Sequence, residues 1–484
     1  MSPPPDDSAQ VVAKVVRGAR WAAAFRLLAQ LINWSCTIVV VRYISASDYG
    51  LNAMLQTPLE MLFLLSTFGL DLALVQAKKL DDRQLRCAFG YLLLLNGGLF
   101  LVYFFGAGVI AEYFNEPRLK PLAQVLAFIY LAVPFRIIPN ALLERELKFK
   151  LKASVDLFVS VATALTTLTL AVMGAGVWAL VAGVLVSSVL AIVVLSIFNP
   201  WFIRPDFRFS EVRKMMAFGG TMTIATAVAV VSNTLPVTIA GPVLGSELLG
   251  IFAVALEFAV LPLSKTMPIV NTIVFPAFSR FQDQPESVAY YLLRSLGFAS
   301  LVLVPALVGV SCVAHEFVPT VLGEKWLPAV APLTLLALAM PFRLVSLFLR
   351  QVMAGVGRPD LTLRSSIINL LLFLPLVWIG TRYGLMGVVG AFLVVEPVIA
   401  IATMAMCGKM LDLPLPRLAR ALVPAAVCSL VMAGAVAGLR VALPEMPGLA
   451  KLLIEIGVGG AVYAAALRLI FPSEMASALR MVRK

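Results

Sequence analysis

The sequence predicts an all-α, polytopic membrane protein of about 14 transmembrane helices, with two six-helix lobes in parallel repeat and two further helices toward the C-terminal end. Three observations carry that expectation. Of the 484 residues, 61% are hydrophobic and only 13% charged, against about 25% charged in average soluble domains. Apolar runs long enough to span a bilayer recur along the chain, without the short alternating segments of a β-barrel. One near-identical motif and two looser matches also return at a spacing of about 200 to 208 residues.

Taken in order, the spans fall at 18–41, 50–76, 88–111, 119–141, 153–173, 177–198, 215–240, 249–276, 290–314, 327–350, 363–381, 385–407, 419–440 and 449–471. Residues 1–14, which begin MSPPPDDSAQ, are polar and read as a disordered cytoplasmic segment. The first apolar run comes after Lys14, Arg17 and Arg20 and is too long for a signal-peptide core, so it reads as a retained helix. Loop charge gives an orientation. With the N-terminus inside, the inside segments carry Lys78, Lys79, Arg83, Arg86, Arg145, Lys148, Lys150, Lys152, Arg350 and Arg358 among others. The outside segments carry only Arg42, Arg118, Lys120, Lys325, Arg382, Arg440 and Lys451, an asymmetry of more than threefold. Positive residues collect on the cytoplasmic side, so both termini are expected there. The same rule accounts for the net charge of +12 without nucleic acid.

The repeat is visible in LAVPFR (131–136) over LAMPFR (338–343), ISASDYGLNA (44–53) over LGSELLGIFA (244–253), and GVWALVAG (176–183) over GLMGVVGA (384–391). It divides the chain into an N-lobe at 15–200, a C-lobe at 201–410 and an appended pair of helices with a tail at 411–484. Six spans per copy insert both copies the same way up. Parallel repeats of that kind place transport sites between lobes, although a repeat can also serve packing alone. Prolines inside spans (Pro58, Pro134, Pro236, Pro262, Pro268, Pro305, Pro341, Pro375, Pro397) bend helices.

Arg26, Arg136, Lys265 and Arg343 fall within spans, where a central charge costs about 2.5–3.5 kcal/mol on insertion scales. Two readings are open for Arg136 and Arg343. They snorkel to head groups or cap helix ends, or they line an aqueous cavity and bind an anion. The duplication favours the second, in which two equivalent guanidiniums clamp a pyrophosphate. Glu60, Asp71, Asp156, Glu257 and Glu396 lie at similar depth. They either pair with the buried bases or couple transport to protons or sodium. Five scattered cysteines and a lone His315 give no metal-site spacing, so no metal or cofactor is expected. No GxxxxGK[ST] loop is present, and no outside loop is long enough to hold a catalytic domain, so a non-enzymatic transporter is expected.

The stretches VRYISASDYGLNAM, STFGLDLALVQAKKLD, ALLERELKFKLKASVDL with the following GAGVWALVAG, GRPDLTLRSSIINL and YGLMGVVGAF resemble the Wzx-type polysaccharide flippases of the MOP exporter superfamily. The resemblance spans about residues 15–410. It implies lobes arranged as a V, a cationic cavity and alternating access. It implies a bacterial inner-membrane protein that moves undecaprenyl-pyrophosphate-linked oligosaccharides for exopolysaccharide, capsule or O-antigen synthesis. Membrane lipids and polymerase or export machinery are the implied partners. Arg26 sits where family members often place a basic cavity residue. The appended helices are not shared by every member; in the lipid II relative such a pair forms a groove for the lipid tail. The alternative is an ion-coupled small-molecule exporter like the multidrug MATE proteins, which an acidic cavity would favour.

Overall fold

The computed structural model describes residues 21, 25, 28–70, 73–74, 81–146, 148–198, 203–208, 213–281, 284–444 and 446–476, with backbone alone for 213–226, 268–277 and 280. The expectations for residues 1–14, Arg26 and Asp71 lie outside the described residues. Among those described, no strand occurs. The chain is a multi-pass membrane protein, and among the described residues eleven helical stretches are long and apolar enough to cross a bilayer by length and composition.

The helices follow the apolar runs. They are α1 (28–43), α2 (Ala46–Thr67), α3 (Asp82–Tyr113), α4 (Leu119–Arg145), α5 (Phe149–Val172) and α6 (Val177–Phe198). One helical stretch from Arg213 to Arg280 divides at Gly245, whose φ of 74° interrupts it, into α7 (213–244) and α8 (246–280). Then come α9 (Pro285–Phe317), α10 (Val330–Gly355), α11 (Pro359–Thr381), α12 (Gly384–Met410), α13 (Leu415–Ala442) and α14 (Gly448–Ile470). Two boundaries differ usefully from the sequence expectation. Helix α2 stops at Thr67 rather than 76, because Phe68 and Gly69 turn left-handed. Helix α10 runs on to Gly355, so Arg350 stands inside a helix and not in a loop.

The fold divides into two compact units, 1–231 with 245–247, and 232–244 with 248–484. In the first, α4 packs on α3 and α6, and α5 packs on α6. Pro58 bends α2, and the buried hydroxyls of Tyr103 and Tyr130 donate to the carbonyls of Leu55 and Leu59 on either side of it. Neighbouring helices thus serve backbone acceptors at a proline bend, as a membrane interior requires. In the second, α10 packs on α9 and α12, and α11 on α12. The short Arg382–Tyr383 turn holds α11 and α12 so close that a Cβ on Gly380 or Gly387 would collide with the other's backbone. Helices α13 and α14 pack on each other and on α9. Arg440 of α13 binds Glu455 of α14, which is fully buried, and also donates to the Cys312 carbonyl of α9. Large apolar residues such as Phe105, Leu430 and Leu469 remain on the outer surface, as expected of faces solvated by lipid.

Candidate functional site: a cavity around Arg136

In the first unit, α2, α4, α5 and α6 enclose a cavity of about 670 Å³. Arg136 of α4 lines it, with Asn140 one turn further on, Thr163 and Thr167 of α5, and Ser187 and Ser188 of α6. Glu144 and Lys152 also line it and form an ion pair with each other. A Cβ at Gly183 would collide with the Thr167 hydroxyl, so a small residue lets α6 approach α5 beside the cavity. A second cavity of about 480 Å³ shares Arg136, Asn140, Lys152, Thr163 and Ser187, and adds Asn33, Asp156 and Ser160. Asn33 donates to the Ser160 hydroxyl at 2.7 Å. Arg136 is exposed, and no carboxylate among the described residues lies within ion-pair distance of it. Lys152 is paired with Glu144, so Arg136 is the base lining this cavity that has no ion-pair partner among the described residues.

In the second unit, Arg343 of α10 has a different setting. Its guanidinium donates to Glu396 of α12 at 3.2 Å and to the Asn233 side chain of α7 at 2.8 Å. Glu396 is only 4% exposed. Arg350, two turns along α10 from Arg343, lies within electrostatic range of both. Two bases thus surround one buried carboxylate, as pairing with buried bases would require.

The remaining candidates are more dispersed. Glu257 and Lys265, about two turns apart on α8, interact electrostatically, and both are exposed. Glu60 is exposed on α2. Asp156 lines the second cavity near Arg136. No group of three metal-binding side chains occurs among the described residues. At the α3–α4 turn, outside the spans, Arg118 donates to both carboxylate oxygens of Glu116 at 2.9 and 2.8 Å. That hydrogen-bonded guanidinium holds the Glu116 carboxyl below the usual carboxylate range, against a smaller opposing effect of burial.

Sequence reasoning singled out Arg136, Arg343 and Glu396 as candidates and passed over Arg350, Asn140, Asn33, Asn233 and Ser188, which the structure places beside them. The signals were present. Arg350 follows Arg343 by seven residues and Asn140 follows Arg136 by four, which puts each pair on one helix face. Asn33 and Asn233 are separated by the repeat offset of 200.

Comparison with known proteins places this geometry in a family. WzxC, a lipopolysaccharide biosynthesis protein of Escherichia coli K12, is 27% identical over 394 residues, 79% of this chain and 78% of that protein. TuaB, a teichuronic acid biosynthesis protein of Bacillus subtilis 168, is 22% identical over 353 residues, 72% of this chain and 73% of its own. The fold is similar to that of the lipid II flippase MurJ in an inward closed conformation, with a TM-score of 0.76 at 13% identity, covering 94% of this chain and 99% of MurJ. The family model described as "Polysaccharide biosynthesis protein" matches residues 39–331, more than half of the chain, and the protein belongs to that family.

Proposed function

We propose that this protein is a flippase for lipid-linked oligosaccharides, carrying the sugar-bearing head from the cytoplasmic to the outer leaflet by alternating access. The observation that carries this reading is Arg136, a cation without an ion-pair partner among the described residues. It lines a cavity at membrane depth whose walls are largely apolar but carry Asn140 and the Thr163, Thr167, Ser187 and Ser188 hydroxyls. A hydrophilic head cannot cross hydrocarbon unaided, and its phosphates need a fixed positive partner once out of water. A guanidinium offers paired donors matched to phosphate oxygens. A cavity of about 670 Å³ is within the usual size of small-ligand pockets, enough for a pyrophosphate and its nearest sugar while the isoprenyl tail stays in lipid. The names of the relatives, which concern lipopolysaccharide and teichuronic acid biosynthesis, point the same way. Undecaprenyl pyrophosphate is the carrier that fits this chemistry, and the bacterial inner membrane, with both termini cytoplasmic, is the corresponding location. The exposed carboxylates Glu60 and Glu257 are where we place ion coupling.

The test is made in cells lacking the chain but retaining the enzymes that assemble the lipid-linked unit. The intermediate is expected to accumulate on the cytoplasmic leaflet and to clear when the wild-type chain is restored. Arg136→Ala at equal protein level is expected not to clear it. Normal export in the absence of the chain would reject the reading.

A further inference from the structure

The repeat pairs the surroundings of the two arginines, and the charges at the paired positions differ: Glu396 stands over Ser188, and Arg350 stands over Leu143. At the local offsets of 200, 207 and 208, Asn233, Arg343 and Glu396 correspond to Asn33, Arg136 and Ser188. The structure supports this correspondence in two ways. Helix α4 packs against α6 as α10 packs against α12. Asn33, Arg136 and Ser188 also line two cavities that share Arg136 as a wall. Where the second unit puts a carboxylate against its arginine, the equivalent position of the first unit is a hydroxyl beside open volume. The carboxylates lining that volume are Glu144, paired with Lys152, and Asp156 of α5.

We propose that the two halves are a filled and an open version of one anion site. In the second unit Glu396 is a built-in anion that holds Arg343 and Arg350. In the first, Ser188 leaves the equivalent place vacant, and a phosphate or pyrophosphate group of the substrate occupies it against Arg136. Ser188 is therefore a specificity-determining position: its lack of charge is what admits an anionic ligand. In the second unit one guanidinium nitrogen of Arg343 holds the Glu396 carboxylate while Asn233 Oδ1 accepts from the other and orients the guanidinium toward the anion. Asn140 and the Ser187 hydroxyl supply further polar contacts in the first unit. The clamp suggested by the duplication becomes one-sided, with Arg343 a structural counterpart and not a second phosphate contact. This deepens the flippase reading and rests on it for the identity of the substrate, but anion binding is measurable without transport.

The experiment is calorimetric titration of the purified full-length protein in detergent with inorganic pyrophosphate and, separately, with a short-chain isoprenyl pyrophosphate. One site is expected. Ser188→Glu, which supplies the first unit with its own carboxylate, is expected to weaken binding about tenfold or more, the scale of one lost charge-assisted interaction. Ser187→Glu places a carboxylate in the same cavity from an adjacent, less buried position and is the second variant should Ser188→Glu not fold. Glu396→Ser is expected to open a second site and raise the stoichiometry from one to two. The paired R343M/E396Q variant, which removes both charges together, is expected to bind within about threefold of wild type. Unchanged binding in both serine variants, or a tenfold loss in R343M/E396Q, would overturn the proposal. Loss of export with symmetric pyrophosphate binding would sink this inference and leave the flippase reading standing. Asymmetric binding in a chain whose loss does not affect export would do the reverse.

Discussion

Arg136 and Arg343 end the same six-residue stretch in two copies of one helix, LAVPFR and LAMPFR, yet their surroundings differ. Arg343 is tied to a buried glutamate and an asparagine, with Arg350 close by. Arg136 lines a cavity with largely apolar walls and a few hydroxyls and amides, and its neighbour Lys152 is already paired with Glu144. Duplication copied the cation, and the copies diverged around it, with Ser188 and Leu143 in the first unit where the second has Glu396 and Arg350. A charge whose partner lies within the fold contributes to holding the fold together. A charge left without one is costly to keep in a membrane, and the proposed function assigns that of Arg136 to a ligand.

The two arginines differ most where stability and transport separate. Glu396→Ala leaves two bases around an empty place. Removing one partner of a buried pair costs about 3–5 kcal/mol, so a large drop in the thermal unfolding midpoint of the detergent-purified protein is expected. Ser188→Ala, at the corresponding place in the first unit, is expected to leave the midpoint essentially unchanged. Next in size is Arg136→Ala. It removes a contact to the ligand phosphate worth about 1.5–3 kcal/mol and is expected to cut translocation about tenfold or more, with an unchanged unfolding midpoint. Equal loss of stability in Arg136→Ala and Glu396→Ala would break the contrast. A smaller effect is expected of Glu257→Gln: a partial loss of gradient-driven flux, with pyrophosphate binding retained.

The smallest effect lies outside the membrane, in the Glu116–Arg118 pair. Arg118 is 54% exposed and Glu116 17%, and partly exposed pairs contribute at most about 1 kcal/mol. The folded-state carboxyl of Glu116 sits below its ordinary value. Its contribution is therefore complete above the unfolded-state pKa and is lost as pH falls through the lowered folded-state value. Glu116→Gln is expected to flatten the acid side of the stability–pH profile slightly, and Glu396→Ala is not expected to mimic it.

Most of the helical architecture was legible in the sequence, because apolar run length and loop charge report directly on membrane crossing. Even the tight pair α11 and α12, joined only by Arg382 and Tyr383, follows from the apolar runs on either side of RYGL. The end of α2 was less accessible. The apolar run continues to 76, and only the left-handed backbone at Phe68 and Gly69 ends the helix earlier. Arg350 was misplaced for the opposite reason, since α10 extends past its apolar run to Gly355. The pairing of Arg343 with Glu396 spans 53 residues. No local pattern specifies which of several intramembrane acids meets which base. That choice is set by how α10 and α12 pack, and only the coordinates distinguish an occupied arginine from an open one.

The most direct test is translocation of a fluorescent lipid-linked oligosaccharide in proteoliposomes, read by a membrane-impermeant quencher, with wild type and Arg136→Ala reconstituted at equal density. If Arg136 carries the phosphate across, quencher-accessible label is lost rapidly with wild type and at little above the protein-free rate with Arg136→Ala. Translocation by Arg136→Ala at the wild-type rate would contradict that role.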